Sequence, residues 1–370
     1  MQITSIEIFP FSIPLIEPFI ISLETITHAH NLLIRINTDE RGITGWGESS
    51  PFRTINGEVQ SAQMALAPLL AREWIGKNPM DMEMLMSDLH KALYGNLSLK
   101  SAFDMALYDI AAKTNKMPLY QYLGGTKNKK MITDQTLSID TPEKMVAQAL
   151  RFISEGFDHI KVKLGKNAEG DIIRIKKLRE ALGPDIPLRI DANQGWSVPD
   201  AIQVLQTIEK YDVEHCEQPV HRKDYAGMKK VKDHTGINIM ADESLNDFND
   251  ATLLLAQNCC HEFNIKLGKS GGILEATKIA VLADEAKINC QVGCFNESVL
   301  GITALAHFAL AHDIIHYFDM DSPLMMSVNP IQGGITYHPG GEVKLNDAVG
   351  IGCDVDPDFL KGLEGVKVGI

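Results

Sequence analysis

No apolar run in this 370-residue chain approaches the ~20 residues needed to cross a bilayer. The first residues, Met1-Gln2-Ile3-Thr4-Ser5-Ile6-Glu7, have neither a basic start nor an apolar core, so no signal peptide is expected. Positive charge is also in short supply. Against 48 acidic residues stand 35 basic ones, a net charge of −13. Phosphate backbones and anionic lipid surfaces need a basic face, so neither nucleic acid nor a membrane is an expected partner. Cysteine is sparse and unpatterned. Cys216, Cys259, Cys260, Cys290, Cys294 and Cys353 form no C-x-x-C and no zinc-type spacing, and most lie in apolar runs. Buried free thiols in a reducing cytoplasm are expected. No segment is of low complexity. What remains is an ordinary globular composition, 45% hydrophobic and 22% charged. The length suffices for two domains, one of them a barrel of about 250 residues.

What the chain does contain is a repeat. Leu188-Arg189-Ile190-Asp191-Ala192-Asn193 reads as a short strand that ends in an acid and an amide. Ile160 to Leu164 precedes it, and strand-like stretches ending near Glu217, Asp242, Lys266, Cys294 and Asp319 follow. The polar ends recur roughly every 25 residues, the length of one strand, one helix and two short loops. Thr141 before Pro142, and Ser197 shortly before Pro199, mark helix starts within the intervals. Polar residues at one phase of successive βα units are expected where chemistry sits at the C-terminal mouth of a barrel. Ahead of the repeat the pattern differs. Residues 1–14 suggest a strand, 31–48 a hairpin, and 60–72, 81–92 and 99–114 helices. Strands followed by helices indicate a separate α+β domain. The expected division is 1–125 for that domain, 126–349 for the barrel, and 350–370 for a segment that leaves the repeat and returns to the first domain.

Asp191, Glu217 and Asp242 end three consecutive strands. Strands ~4.8 Å apart bring such side chains together, and clustered carboxylates raise one another's proton affinity. Each acid alone reads as a loop cap or surface charge. Three at one phase read as a site for a hard divalent cation, one Mg²⁺ in the first instance. Asn193 and Glu243 are candidates to hydrogen-bond those ligands, or to cap their loops. Lys161 and Lys163, two apart on a strand, share a face, and Ile160, Val162 and Leu164 turn towards the helices. Each ammonium is expected to lower the other's proton affinity, towards a usable base near neutral pH. Lys266, three strands beyond Asp191, falls on the wall opposite the second strand. A metal between two facing lysines implies removal of a proton α to a carboxylate and its return from the opposite face, with inversion.

Taken together, Lys161-Val162-Lys163, Asp191-Ala192-Asn193, Glu217-Gln218-Pro219, Ala241-Asp242-Glu243-Ser244, Asn264-Ile265-Lys266 and Gly271-Gly272 resemble the enolase superfamily, and within it the muconate-lactonizing subgroup. The likeness covers essentially the whole chain, including Ser101 to Gly125. It implies an α/β architecture: a modified TIM barrel, (β/α)7β, lacking one helix and capped by the N-terminal α+β domain. It implies that Lys163 and Lys266 are the acid/base pair, that Lys161 supports them and the substrate carboxylate, and that Asp191, Glu217 and Asp242 hold Mg²⁺. Lysine or histidine bases with Mg²⁺ are the known pattern of enolase-type sites.

The subgroup includes cycloisomerases, o-succinylbenzoate synthases, N-acylamino acid racemases and dipeptide epimerases. Asp319-Met320-Asp321-Ser322-Pro323-Leu324 resembles the dipeptide epimerase version, in which paired aspartates hold the dipeptide's ammonium. Muconate and succinylbenzoate carry no such cation. Thr136 on the first barrel strand, and Cys294, Phe295 and Asn296 on the seventh, match positions that line the dipeptide. Lid loops over about Glu17–Ala29 and Pro51–Glu58 are expected at the second side chain. L-Ala-D/L-Glu epimerases carry an arginine after a leucine in the first of these. Here Glu24 follows Leu23. That departure weighs against an acidic second residue and towards cationic or mixed dipeptides, unless Glu24 faces solvent. The expectation is therefore an isomerase acting on a dipeptide, with Ala-Glu and a broad specificity both open, and self-association neither required nor excluded. A lyase or cycloisomerase on the same scaffold, and a non-catalytic carboxylate-binding protein, are the competing readings.

Overall fold

The computed structural model describes residues 1–369. Ile3–Ile20, Thr25–Thr38 and Thr44–Ser49 form an antiparallel sheet, and Val366–Gly369 adds a fourth strand beside the first. Ile6, Ile8, Ile34 and Ile36 share a core with Leu99, Phe103 and Ile110 of the helix Leu97–Thr114. That helix lies close against the strand Thr44–Ser49, because two glycines there leave room. A Cβ on Gly47 would stand 1.9 Å from the Ala102 carbonyl oxygen, and one on Gly45 2.0 Å from that of Ala106. The first expected lid loop is shorter than the sequence suggests. Its strand runs on to Ile20 after a register shift, and pairs Phe19 with Ile26 and Ile20 with Thr25. The run of Ile16, Phe19, Ile20, Thr25 and Ile26 favours extended backbone, so only a tight tip at Ile21–Glu24 turns.

The second unit is a curled sheet of eight parallel strands in sequential order: Gln135–Leu137, Ile160–Lys163, Leu188–Asp191, Val213–Glu217, Asn238–Ala241, Glu262–Ile265, Asn289–Val292 and Ile315–Phe318. A parallel bridge between Thr133 and Phe318 brings the last strand back to the first. Seven long helices fill the crossovers, and the eighth strand leads directly into the one-turn helix Ser322–Met325 in place of an eighth long one, which gives (β/α)7β. The second and third strands are buried on both faces, as a parallel sheet requires. Ile160, Val162 and Leu164 join the core beneath the helices, and the alternate residues point inwards. Thr141 and Ser197 cap their helices by accepting from the backbone N–H of Lys144 and Asp200. No helix among the described residues is long and apolar enough to cross a membrane.

Two buried acids of the first unit join it to the barrel. Glu48 accepts from Ser298 N at 2.8 Å and Gly301 N at 2.9 Å, at the start of the helix Val299–Ala311. Asp104 accepts from the backbone N–H groups of Ile273 and Leu274, at the start of Ile273–Ala286. Unpaired N–H groups and the helix dipole attract a carboxylate to such ends. Burial nevertheless pushes the Asp104 carboxyl up to about 7. The chain also returns after the barrel. Cys353–Val355 pairs with Ile331–Gly333, and Asp354 accepts from Trp46 Nε1 at 2.6 Å.

The glycine contact gives a test of this packing. Gly47→Ala forces the helix Leu97–Thr114, which carries Asp104, away from the sheet. Overpacking of this kind costs roughly 1–3 kcal/mol or more, so thermal unfolding followed by circular dichroism should show a clear drop in Tm. An unchanged Tm would contradict the described approach.

Candidate active site

The strand register brings the acids together, with one offset. Lys163 stands level with Asp191, and Asp191 with Glu217. Glu217, however, pairs with Met240, so Asp242 lies two residues further on, just past the end of its strand. The stagger that closes a barrel produces such offsets, and a count along the sequence does not show it. One carboxylate oxygen from each of the three acids still lies within 4.8 Å of the other two, and all three residues are buried.

Four lysines surround them. Lys163 Nζ donates to Asp191 Oδ2 at 2.6 Å. From the sixth strand, Lys266 Nζ lies 2.9 Å from Asp242 Oδ2. Lys161 sits between, 2.6 Å from Glu217 Oε1 and 2.8 Å from Asp319 Oδ2. The sequence missed Lys269. The single turn Leu267–Ser270 places it one helical turn after Lys266, where it donates to Asp242 Oδ1 at 2.6 Å and to Asn264 O at 2.9 Å. Asn264 Nδ2 and Gln291 Nε2 complete the setting of Glu217, at 3.0 and 2.7 Å.

For Lys161 the expected lowering of proton affinity is not what the surroundings produce. Burial does disfavour the Lys161 ammonium, but Asp319, Glu217 and Asp191 hold it well above the usual lysine range. Burial likewise opposes charge on Lys266, and Asp242 raises it. The carboxylates in contact outweigh the neighbouring ammoniums. Glu217 is held down to about 2 by Lys161 in spite of burial, and Asp242 is held low by Lys266 and Lys269. Asp191 is raised by burial, with Glu217 adding to it against Lys163.

Asn193 and Glu243 stand beside the acids. Asn193 N donates to Asp191 Oδ1 at 2.8 Å, and Asn193 Nδ2 to Glu243 Oε1 at 3.2 Å. Asn193 Oδ1 and Glu243 Oε2 are buried with no hydrogen-bond partner. An all-oxygen donor set, with further oxygens unsatisfied beside it, fits a hard divalent cation.

A second anionic group ends the eighth strand. Asp319 Oδ1 and Asp321 Oδ1 lie 3.7 and 3.8 Å from Cys294 Sγ. Asp321 Oδ2 accepts from Thr136 N at 2.7 Å. Burial, then the neighbouring Asp319, push the Asp321 carboxyl up to about 7. Aromatic rings flank the amines. The Phe295 centroid is 4.9 Å from Lys266 Nζ and 5.6 Å from that of Phe52, and Phe19 lies 6.0 Å from Lys163 Nζ. Asn296 is fixed through its backbone, accepting from Asn31 Nδ2 at 2.6 Å. Glu24 does not face solvent freely. It accepts from Arg53 Nε at 2.9 Å and Thr54 Oγ1 at 2.6 Å, so the second lid neutralises its charge. Glu24, Phe52, Arg53 and Asn296 line a cavity of about 440 Å³.

Comparison with known proteins agrees with this geometry. Residues 3–124 match the N-terminal domain of the mandelate racemase / muconate lactonizing enzyme family, and residues 144–359 the enolase C-terminal domain-like family. The chain is 45% identical over 368 residues to the D-Ala-D/L-Ala epimerase of Cytophaga hutchinsonii, covering 100% of each. It is 39% identical over 366 residues to the L-Ala-D/L-Glu epimerase of Bacillus subtilis, covering 98% of this chain and 99% of that one. The crystal structure of the dipeptide epimerase from Cytophaga hutchinsonii complexed with Mg and the dipeptide D-Ala-L-Val aligns with a TM-score of 0.98 at 44% identity, over 100% of both chains.

The aspartate pair sets a pH dependence. Burial and the neighbouring Asp319 raise the Asp321 carboxyl to about 7, and an ammonium held between the two carboxylates would favour the ionised form. The affinity of any ligand whose ammonium docks between Asp319 and Asp321, with L-Ala-L-Ala as the probe, should therefore fall as pH drops below about 7, approaching tenfold per unit, with proton release on binding. Calorimetry in buffers of different ionisation heat reads both. A flat affinity between pH 6 and 8 in the wild type would contradict it.

Proposed function

The chain belongs to the mandelate racemase / muconate lactonizing enzyme family of the enolase superfamily, and from that premise we propose that it is a Mg²⁺-dependent dipeptide epimerase. One observation carries the reading. Lys163 and Lys266 reach the same buried acid cluster from the second and sixth strands, on opposite walls, while a separate aspartate pair waits at the eighth. The first feature suits proton transfer at both faces of one carbon. The second suits a substrate with an ammonium at a distance from its carboxylate.

In this reading Asp191, Glu217 and Asp242 would hold the Mg²⁺. When bound, the ion supplies positive charge to the substrate carboxylate and to the negative charge that develops as the α-proton leaves. The α-carbon is that of the dipeptide's C-terminal residue. One of Lys163 and Lys266 takes its proton, forming an N–H, and the other gives up an N–H proton to the opposite face, so the configuration inverts and no bond of the substrate other than that C–H is broken. Lys161, between Glu217 and Asp319, balances the negative charge around the bound carboxylate. Asp319 and Asp321 grip the N-terminal ammonium. Thr136, Cys294, Phe295 and Asn296 line the peptide between these ends, with Asn193 and Glu243 orienting the metal ligands.

Neutral dipeptides are the preferred class. Glu24 is already paired with Arg53 and Thr54, so it offers no free charge to the second side chain. Phe19, Phe52 and Phe295 supply an apolar surround. Six unpaired cysteines fit work in a reducing cytoplasm.

A dipeptide library incubated with the protein and Mg²⁺ in D₂O tests the proposal. Mass spectrometry should show deuterium gained at one carbon of neutral members, chiral separation should show inversion, and EDTA should abolish both. Loss of water or ring opening in place of exchange would mark a lyase or cycloisomerase. No exchange in any member would reject epimerisation.

A further inference from the structure

Arg222 lies in the loop after the fourth barrel strand and takes no part in the chemistry above. Its guanidinium joins the barrel mouth to the second lid. Nη2 donates to the backbone carbonyl of Thr54 at 2.9 Å, and Nη1 to that of Ile55. Its Nε and its backbone N each lie 3.0 Å from Gln194 Oε1. The segment 51–59 contains neither helix nor strand. Two carbonyls that no ladder satisfies are thus taken by one planar fork, a geometry a lysine cannot reproduce.

At its other end this contact reaches the loops that carry the acids. Asn193 and Gln194 hold φ of 41° and 68°, in the left-handed region that non-glycine residues seldom adopt. Asn193 N donates to Asp191 Oδ1, Gln194 N to Gln218 O at 2.8 Å, and Ser22 Oγ, from the tip of the first hairpin, to Asn193 O at 2.8 Å. Ser244 Oγ donates to Arg222 O at 2.7 Å, and Gln218 Oε1 accepts from Asp242 N and Ser244 N at 3.1 Å each. The loops beside Asp191 and Glu217 are therefore tied directly to Gln194, and that of Asp242 to Arg222 through the Ser244 hydroxyl and to Gln218 through its own N–H. The two lids also meet each other, through Glu24 with Thr54 and Arg53.

We propose that Arg222 is a positioning residue: it latches the segment Pro51–Glu58 over the site and couples that closure to the loops of Asp191, Glu217 and Asp242. Phe52 is the part of the segment that matters to the reaction. It packs on Phe295, which covers Lys266. Release of the latch withdraws Phe52 and admits water beside that amine, where excluded water strengthens every charge interaction. The kinetic consequence rests on the epimerase reading, but the latch itself does not.

Arg53 offers a direct probe, since its side chain is 67% exposed while the next two carbonyls are pinned by Arg222. Trypsin cleavage after Arg53 requires the segment to open, and its rate reports the open population. In the full chain with Mg²⁺, Arg222→Met should speed this cleavage by about tenfold or more with Tm unchanged. Gln194→Leu should do so as well, although the hydrogen bonds of Gln194 go to Arg222 and Gln218 and not to the segment, and Arg222→Lys should fall between. With a dipeptide that turns over, Arg222→Met should raise KM about tenfold and change kcat far less. Should Arg222→Met fail to fold, Gln194→Leu decides alone. Cleavage at the wild-type rate in the folded variants, or faster cleavage only in step with a falling Tm, would overturn the latch. If no dipeptide exchanges in D₂O, the functional reading fails and the proteolysis result still stands or falls by itself.

Discussion

Charge has been taken out of water at the mouth of this barrel, and the rest of the molecule is arranged around making that stable. Lys161, Lys163, Lys266 and Lys269 alternate with Asp191, Glu217, Asp242 and Asp319, each amine within hydrogen-bond distance of at least one carboxylate. An isolated buried charge costs several kcal/mol, and removal of one partner leaves the other uncompensated. Removal of any one member of the interlocked set therefore costs stability. The same set also explains why Lys161 binds its proton so firmly, since three acids converge on one amine.

The α+β unit holds this arrangement shut by a related device. Glu48 and Asp104 are buried acids whose partners are the N–H groups at the starts of two barrel helices. The lids they bring with them are short: a hairpin tip at Ile21–Glu24 and the irregular segment 51–59. Both are fastened to the loop after the third strand, the first through Ser22 and the second through Arg222 and Gln194. The same loop orients Asp191. The two lids and the Asp191 carboxylate thus share one backbone segment.

Much of this was legible in the chain because it is written at short range. Period-two alternation at Lys161 and Lys163 announces which face points inwards, and Thr141 and Ser197 announce where helices begin. The recurrence of polar strand ends reveals the barrel, and the acids and amines of the site with it. What was hidden depends on distant partners. Asp242 sits two residues beyond its expected level because barrel shear is a property of the closed sheet. Glu24 looked like a free charge, and only folding brings Arg53 and Thr54 to it. Lys269 is not legible at short range, because only the single helical turn Leu267–Ser270 aims this lysine at Asp242. The raised proton affinity of Lys161 required a count of every neighbour, where the sequence supplied only Lys163.

The central claim is that two amines work on opposite faces of one carbon. It is tested most directly by following α-proton exchange in D₂O separately for the two epimers of a turned-over dipeptide, in Lys163→Ala and in Lys266→Ala. Each variant should lose inversion, yet still exchange one epimer, and the two variants should retain opposite epimers. If either variant inverts at an undiminished rate, or if both retain exchange of the same epimer, the two amines do not face each other across the substrate and the account is wrong.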